Sequence, residues 1–243
     1  MRGIDCAKCP LRVMPLFVPF TPEELTFMRA FKLREETFGP NETILHEGQR
    51  SATLYTVLAG MGTRSVLLED GRRQVINFIF PGDFIGLQSS LMGEMKHTVT
   101  AATQTTLCAF DRARLWEMFR DNASRAYDLT WIAAVEEHFL GETIATLGQR
   151  NASERLAWAF LRIWRRLSAV GLLRDRSVPL PFRQQDIADA LGMSLVHTNK
   201  TVGRMRLLGL ANWQGGRLTI PDTARLAAAG GVSDEYVEKR PIL

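Results

Sequence analysis

The sequence predicts an α+β protein in which an antiparallel β-rich region precedes one long helix and a smaller helical region. Between residues 38 and 111, short runs such as TLYTVLAG, RRQVINFIF and HTVTAATQTTLCAF alternate with turns at about ten-residue spacing. Such spacing indicates an antiparallel β-roll. From 124 to 148, apolar residues recur every three or four positions, which predicts a single long helix.

Glycines, prolines and caps divide the 243-residue chain into five expected parts. In the first helix, Thr21 is the expected N-cap, Pro22 takes the first turn and Glu24 completes a capping box. Gly71 in EDGR is expected in a hairpin turn. The parts are a cysteine-bearing leader (1–20), a β-roll domain (21–122), a long helix with a hinge (123–150), a helical domain (151–232) and a tail (233–243).

Composition excludes several classes of protein. No apolar run reaches the roughly 18 residues that span a bilayer, and three cysteines favour a reducing cytoplasm over a disulfide framework. The histidines lie on scattered elements with no nucleophile motif, metal-ligand spacing or phosphate loop, so an enzyme is not expected. These histidines are His46, His97, His138 and His197.

The long helix carries apolar residues on two faces, of which one can rest on the β-roll and the other on a second subunit. A plain core helix is the alternative. The residues predicted for the dimer seam are Leu129, Ile132, Ala133, Glu136, Phe139, Leu140, Thr143, Ile144 and Leu147.

A helix-turn-helix is predicted between 184 and 208. Residues 184–191 form a short helix, Gly192 permits the tight turn and Ser194 caps a second helix at about 194–208. Leu195, Thr198, Val202 and Met205 are expected on its packed side, with Thr201 beside the opposite one. Two short strands then join at Gly215-Gly216 as a wing, in the stretch ANWQGGRLTIPD.

Charge favours DNA as the partner of this motif. From residue 151 onward there are 14 Lys and Arg against 8 Asp and Glu, and the second helix has no acid at all. Base-edge contacts are expected from Val196, His197, Asn199 and Lys200. Phosphate contacts are expected from Arg183, Gln185, Ser194, Arg204, Arg206 and Arg217.

In this order of parts the chain resembles the CRP/FNR family of bacterial transcription regulators, through ILHEGQRSATLYTVLAG, GRRQVINFIFPGDFIG and QQDIADALGMSLVHTNKTVGRMRLLGL. The resemblance is to the FNR/FixK-like branch. It implies a cyclic-nucleotide-binding-like β-roll, a homodimer on a pseudo-palindromic operator, contact with RNA polymerase and a signal that reorients the DNA-binding domains.

Departures from the family pattern reduce the number of effectors and cofactors that this chain is expected to bind. Cyclic AMP is not expected, since Leu87 and Gln88 follow Gly86 where nucleotide-binding members have Glu-Leu, and no Arg-Ser follows. The resemblance implies iron–sulfur ligands Cys6, Cys9 and Cys108, but Phe17 stands where alphaproteobacterial relatives have another leader cysteine, and four thiolates are the usual set. A cluster, a thiol/disulfide signal, haem, another effector and no cofactor remain open.

The sequence therefore predicts a signal-responsive homodimeric regulator that binds double-stranded DNA. The alternative is a ligand-binding interaction module whose basic winged domain contacts protein or RNA.

Overall fold

A computed structural model describes residues 3–233 and 237–243. The helices are α1 (Pro22–Phe31), α2 (Leu87–Met92), α3 (Leu115–Asp121), α4 (Ala123–Gln149), α5 (Ala152–Ala169), α6 (Gln184–Leu191), α7 (Leu195–Leu207) and α8 (Thr223–Gly230). The strands are β1 (Lys32–Phe38), β2 (Thr43–Leu45), β3 (Thr53–Ala59), β4 (Gly62–Leu67), β5 (Arg73–Ile79), β6 (Phe84–Ile85), β7 (Thr98–Ala101), β8 (Thr105–Asp111), β9 (Ser177–Pro179), β10 (Asn212–Gln214) and β11 (Arg217–Thr219).

The β-roll consists of two four-stranded antiparallel sheets, in the orders β1-β8-β3-β6 and β2-β7-β4-β5. Their buried faces enclose an apolar core that includes Val57, Ile79, Val99 and Leu107. The roll begins earlier than the sequence pattern indicated, because β1 follows α1 directly at Lys32. Its REE segment (34–36) has too few apolar residues to give a strand signal.

Local signals at the ends of the helices act as the sequence predicted. The Thr21 side chain accepts a hydrogen bond from the Glu24 amide, and the Glu24 carboxylate accepts one from the Thr21 amide. Asn151 and Glu154 repeat this capping box at the start of α5. Only Arg150 separates α4 from that cap, so the hinge is shorter than the sequence suggested, and Gly148 lies inside α4.

The leader packs against the roll through apolar residues. Leu11, Leu16 and Phe17 are each buried. Gly82 has a φ of +87°, and a Cβ at this position would come within 2.2 Å of the Phe17 ring. Phe17 therefore fills space against a glycine corner of the roll.

The C-terminal region contains a three-stranded sheet, ordered β10-β11-β9, packed with α5 to α8. Strand β9 lies within the proline-bearing stretch DRSVPLPF. Val178 pairs with Leu218 of β11 and is fully buried. Its pairing partner lies 40 residues later, so the short SVP run carries little local indication of a strand.

Ion pairs and a tail hold the β-roll to the C-terminal region. The Arg73 Nη2 atom of β5 lies 2.5 Å from Asp186 and 2.8 Å from Asp189 on α6. The tail returns to the leader, where the Arg240 amide donates to the Leu16 carbonyl at 2.9 Å.

Beyond that point, Ile242 and Leu243 are buried against the β-roll. The Ile242 carbonyl accepts a hydrogen bond from Arg125 Nη1 at 3.2 Å, and the Leu243 carbonyl accepts one from the Thr56 hydroxyl. The tail thus makes a second connection between the two regions, in addition to the α4–α5 hinge.

Candidate nucleic-acid interface

The helix-turn-helix forms where it was predicted. Gly192 ends α6 with a φ of +61°, a left-handed conformation that favours glycine. Ser194 caps α7 by accepting a hydrogen bond from the His197 amide. Leu191 and Met205 are each 2% exposed and belong to one core with α5, so the domain core fixes the position of α7.

The outer side of α7 presents the residues predicted to read bases. Val196 is 64% exposed, and His197, Asn199 and Lys200 are also exposed. Over the described residues, none of these four side chains takes part in a hydrogen bond or an ion pair. Their polar atoms are therefore available to an external partner.

The packed side of α7 differs from the prediction at two positions. Leu195 is 40% exposed, whereas Thr201 is only 5% exposed. The buried stripe starts at Thr198 and continues through Thr201, Val202 and Met205, because the first turn of α7 extends beyond the core. The Thr201 hydroxyl satisfies its hydrogen-bonding need inside the helix by donating to the His197 carbonyl at 2.8 Å.

The residues predicted to contact phosphates fall into two groups. Arg204 and Arg206 are exposed, and in the described part of the chain their side chains have no acidic partner. Arg183 is instead paired with Asp186 at 3.1 Å, Gln185 donates to Asp189 at 2.5 Å, and Arg217 Nε donates to the Ser177 hydroxyl at 3.1 Å. Ser194 serves as the cap of α7.

The face of α4 assigned to dimerisation needs correction. Leu129 and Ile132 are 2% and 4% exposed, because they pack with Met118 and Phe110 in the core of their own subunit. They have almost no surface to offer a partner. Another set of positions on α4 is exposed and heptad-spaced, and it is called the α4 seam below: Tyr127, Thr130, Ala134, Glu137, Gly141, Ile144 and Gly148.

Other members of the predicted set lie elsewhere on α4. Glu136 pairs with Arg64 of β4 at 3.0 Å. Phe139 stacks on Trp158 of α5 at 6.2 Å between ring centroids. Ala133, Leu140 and Ile144 are exposed, while Thr143 and Leu147 are partly buried.

Cys6 and Cys9 of the leader and the distant Cys108 of β8 line one cavity of about 30 Å³ beneath the tail. Burial raises the pKa of the Cys108 thiol to about 12 and also raises the pKa of Cys6. Metal ligation needs thiolates, and burial here disfavours them.

This cavity does not fit an iron–sulfur cluster. Its volume corresponds to about one water molecule, whereas the core of a [4Fe–4S] cluster contains four irons and four sulfides. Within residues 3–233 and 237–243, no three His, Cys, Asp or Glu side chains are grouped to hold a metal ion. No fourth cysteine joins Cys6, Cys9 and Cys108.

In the β-roll corner where the resemblance places a nucleotide site, Gln88 and Lys96 already have partners within the chain. Gln88 accepts a hydrogen bond from the Lys96 amide, and the Lys96 ammonium is paired with Glu94 at 2.6 Å. His97 is buried, and its Nδ1 atom has no hydrogen-bond partner among the described residues. Burial, with a smaller contribution from Arg64, lowers the pKa of His97 to about 3.

Comparison with known proteins identifies this architecture. Residues 35–122 match the model of the cyclic nucleotide-binding domain, and residues 154–229 match the Crp-like helix-turn-helix domain. The chain is 31% identical over 230 residues to the nitrogen fixation regulation protein FixK of Bradyrhizobium diazoefficiens, covering 93% of this chain and 94% of that protein.

Two further matches agree with the match to FixK. The transcriptional activator protein FnrL of Cereibacter sphaeroides is 27% identical over 231 residues, covering 93% of this chain and 92% of that protein. The structure of FixK2 from Bradyrhizobium japonicum superposes with a TM-score of 0.75 at 25% identity, covering 83% of this chain and 98% of that chain. The chain is a DNA-binding transcription regulator. It belongs to the CRP/FNR family, in the FixK-like branch, whose regulators bind DNA and are dimeric.

One further finding concerns membranes. Among the described helices, none combines the length and apolar composition needed to cross a bilayer.

Proposed function

We propose that two copies of this chain pair along α4 and read a pseudo-palindromic operator with their α7 helices. The observation that carries this proposal is the outer face of α7, where Lys200, Arg204 and Arg206 are exposed without an acidic partner in the described part of the chain. DNA phosphates supply the counter-charge, and groove atoms supply acceptors for Lys200.

Base contacts are assigned to Val196, His197, Asn199 and Lys200. Lys200 donates to guanine O6 or N7, and Val196 contacts a thymine methyl group. Phosphate contacts are assigned first to Arg204 and Arg206. Arg183, Gln185, Ser194 and Arg217 act as a second set, since internal hydrogen bonds already hold them near the turn and the wing.

The dimer is assigned to the seam of small and exposed residues on α4. Ala134, Gly141 and Gly148 let two helices approach closely, while Tyr127 and Ile144 supply apolar area. A symmetric pair of α4 helices presents two α7 helices, whose half-sites are expected about one helical turn, roughly 34–36 Å, apart. The bound dimer contacts RNA polymerase, and a small effector sets the orientation of its DNA-binding domains.

The test is a gel-shift titration on an operator selected from random duplexes, with protein confirmed as a dimer by sedimentation. Lys200→Ala is expected to weaken specific binding by about 1–3 kcal/mol per half-site and to relax preference at one base pair. Lys239→Ala, an exposed tail lysine off α7, is the matched control and should bind as wild type.

The alternative interaction module is tested in the same titration. A preference for RNA over every duplex would favour that module and overturn the proposal. A Lys200→Ala variant that keeps the wild-type sequence preference would remove Lys200 from base reading.

A further inference from the structure

A cavity of about 450 Å³ lies where the β-roll, α4 and α5 meet, apart from the cysteine-lined cavity. Its volume falls within the range of about 300–1,000 Å³ that is typical of small-molecule sites. On α4 its wall includes Val135 and Phe139, which at 100° per residue lie on the side of the helix away from the proposed dimer seam, and Trp131, which lies closer to that seam. Pairing along the seam therefore leaves the part of this wall at Val135 and Phe139 free.

Within the described part of the chain, one end of the cavity has more buried positive charge than negative charge. Asp83 Oδ1 accepts hydrogen bonds from Arg166 Nη2 at 2.8 Å and from Arg240 Nη1 at 3.1 Å, so one carboxylate serves two guanidinium groups. Arg166 and Arg240 side chains are each 11% exposed. Arg166 Nη1 and Arg240 Nε are buried and have no hydrogen-bond partner within the described ranges.

Among the described residues, the other acids of the cavity wall do not compensate for this charge. Glu136 is paired with Arg64 and Glu142 with Arg162, and Glu238 is exposed. Burial, together with repulsion by Arg240, lowers the pKa of Arg166 to about 10. A second carboxylate next to Arg166 and Arg240 would balance the charge, and guanidinium groups bind carboxylates in paired hydrogen bonds.

One side of the cavity wall is aromatic, with the Arg162 guanidinium 4.4 Å from the centroid of the Phe139 ring. The rings of Phe139 and Trp158 stack with an interplanar angle of 10°. Phe78 and Phe80 of the β-roll line the same space. Such walls favour a planar apolar body, because aromatic faces pack best in offset stacks or edge to face.

We propose that this cavity binds a small organic monoanion with a planar aromatic body, an aryl carboxylate, whose carboxylate pairs with Arg166 and Arg240. Such a ligand would contact the β-roll, α5 and the tail at once, and so favour one orientation of the DNA-binding domain. This inference names an effector class for the proposed regulator. It is tested without DNA, so its failure leaves the proposal on DNA binding untouched.

The experiment titrates wild-type protein with 2-naphthoate, following tryptophan fluorescence, since Trp131 and Trp158 line the cavity, and binding heat by calorimetry. The neutral isostere naphthalene-2-carboxamide tests the charge, and acetate tests the aromatic body. We expect saturable binding of 2-naphthoate, with each of the two comparison compounds weaker by at least about tenfold.

Variants identify the site. Arg240→Gln is expected to weaken 2-naphthoate binding at least about tenfold, whereas Arg174→Gln, an exposed arginine away from the cavity, should leave it unchanged. In Asp83→Asn the ligand carboxylate replaces the lost counter-charge. Saturating 2-naphthoate should therefore raise the melting temperature of this variant more than that of wild type.

Three results would overturn the proposal: equal binding of the carboxylate and the carboxamide, wild-type affinity in folded Arg240→Gln, or no binding of 2-naphthoate at about 1 mM. The comparison of carboxylate with carboxamide uses wild-type protein only, so it decides the question even where a variant fails to fold.

Discussion

The arginines of the recognition helix and those of the domain junction are the same residue type in opposite circumstances. Arg204 and Arg206 on α7 are exposed, and no described acid pairs with them. Arg73, Arg166 and Arg240 instead reach acids that the chain itself supplies across the junction. The first group is available to the phosphates of a partner, and the second joins the regions of this chain.

The difference teaches that burial and local partners, more than the number of cations, separate a binding surface from a structural one. An exposed arginine costs little to leave unpaired, because water solvates it. A buried one must find a carboxylate inside the chain or draw an anion from outside.

The largest effect is expected when the carboxylate of Asp83, which Arg166 and Arg240 share at the junction, is removed. Asp83→Ala leaves Arg166 and Arg240 buried without their shared partner, and we expect a loss of about 3–5 kcal/mol in the free energy of unfolding. Chemical denaturation with matched m-values measures it. The corresponding change at an exposed pair, Asp121→Ala beside Arg120, should cost much less, because water screens the two charges. Similar losses for the two variants would contradict the contrast.

A second test concerns pH and the buried base of the β-roll. Because the pKa of folded His97 is lowered to about 3 while an exposed histidine has a pKa near 6.5, protons bind the unfolded chain first as pH falls. The stability contribution of neutral His97 is complete above pH 6.5 and is lost progressively down to about pH 3. The loss in the free energy of unfolding amounts to about 3 kcal/mol at pH 4.

His97→Gln should therefore flatten the dependence of unfolding free energy on pH between 6.5 and 4, measured by urea denaturation at each pH. His138→Gln changes an exposed histidine of α4 and is the control. An unchanged slope in His97→Gln would show that this histidine is not the group being titrated.

A third test addresses an exposed arginine of α7. Arg204→Ala should lower the slope of log affinity against log salt by about one unit per helix, or about two per dimer, while the preferred sequence stays the same. Gel shifts over a salt series measure the slope. Arg120→Ala, an exposed arginine of α3, should leave it at the wild-type value. A changed base preference in Arg204→Ala would move this residue from the phosphate group to the base-reading group.

The smallest expected effect is at the partly exposed junction pair. In Arg73→Ala, Asp186 keeps its pairing with Arg183, and the Arg73 side chain is 28% exposed, so we expect a loss of about 1 kcal/mol. The sharper readout is limited proteolysis, which should cut faster between α4 and α5 as α6 loosens from β5. A loss as large as that of Asp83→Ala would mean that the exposure of a junction arginine does not determine how much its ion pair stabilises the fold.

Much of the fold could be predicted because its signals are local. Thr21 and Ser194 cap helices through hydrogen bonds to amides three residues later, and Gly192 adopts the positive φ that ends α6. Most exposed residues of α7 follow from helical periodicity, whereas the exposure of Leu195 and the burial of Thr201 depend on where the domain core ends. Local sequence does not predict strand β9, because this strand is defined by its pairing with residues 40 positions away in β11.

The seam on α4 shows where periodicity stops being informative. A helix with apolar residues on two sides does not say which side packs on its own β-roll. Periodicity therefore predicts Leu129 and Ile132 for the contact with a second subunit, although the core of their own subunit buries them. The sequence pattern constrained the set of faces, and packing selected among them.

By itself the sequence determined the capping box of α1, the turn and cap of the DNA-binding motif and the cationic face of α7, because residues within about four positions set each of these. Only the tertiary structure decided that Asp83 meets Arg166 and Arg240, that the tail closes over three cysteines, and that a cavity opens at the junction. Such contacts join residues as many as 187 positions apart, as with Thr56 and Leu243, and their geometry depends on how whole elements pack rather than on any local preference of the chain.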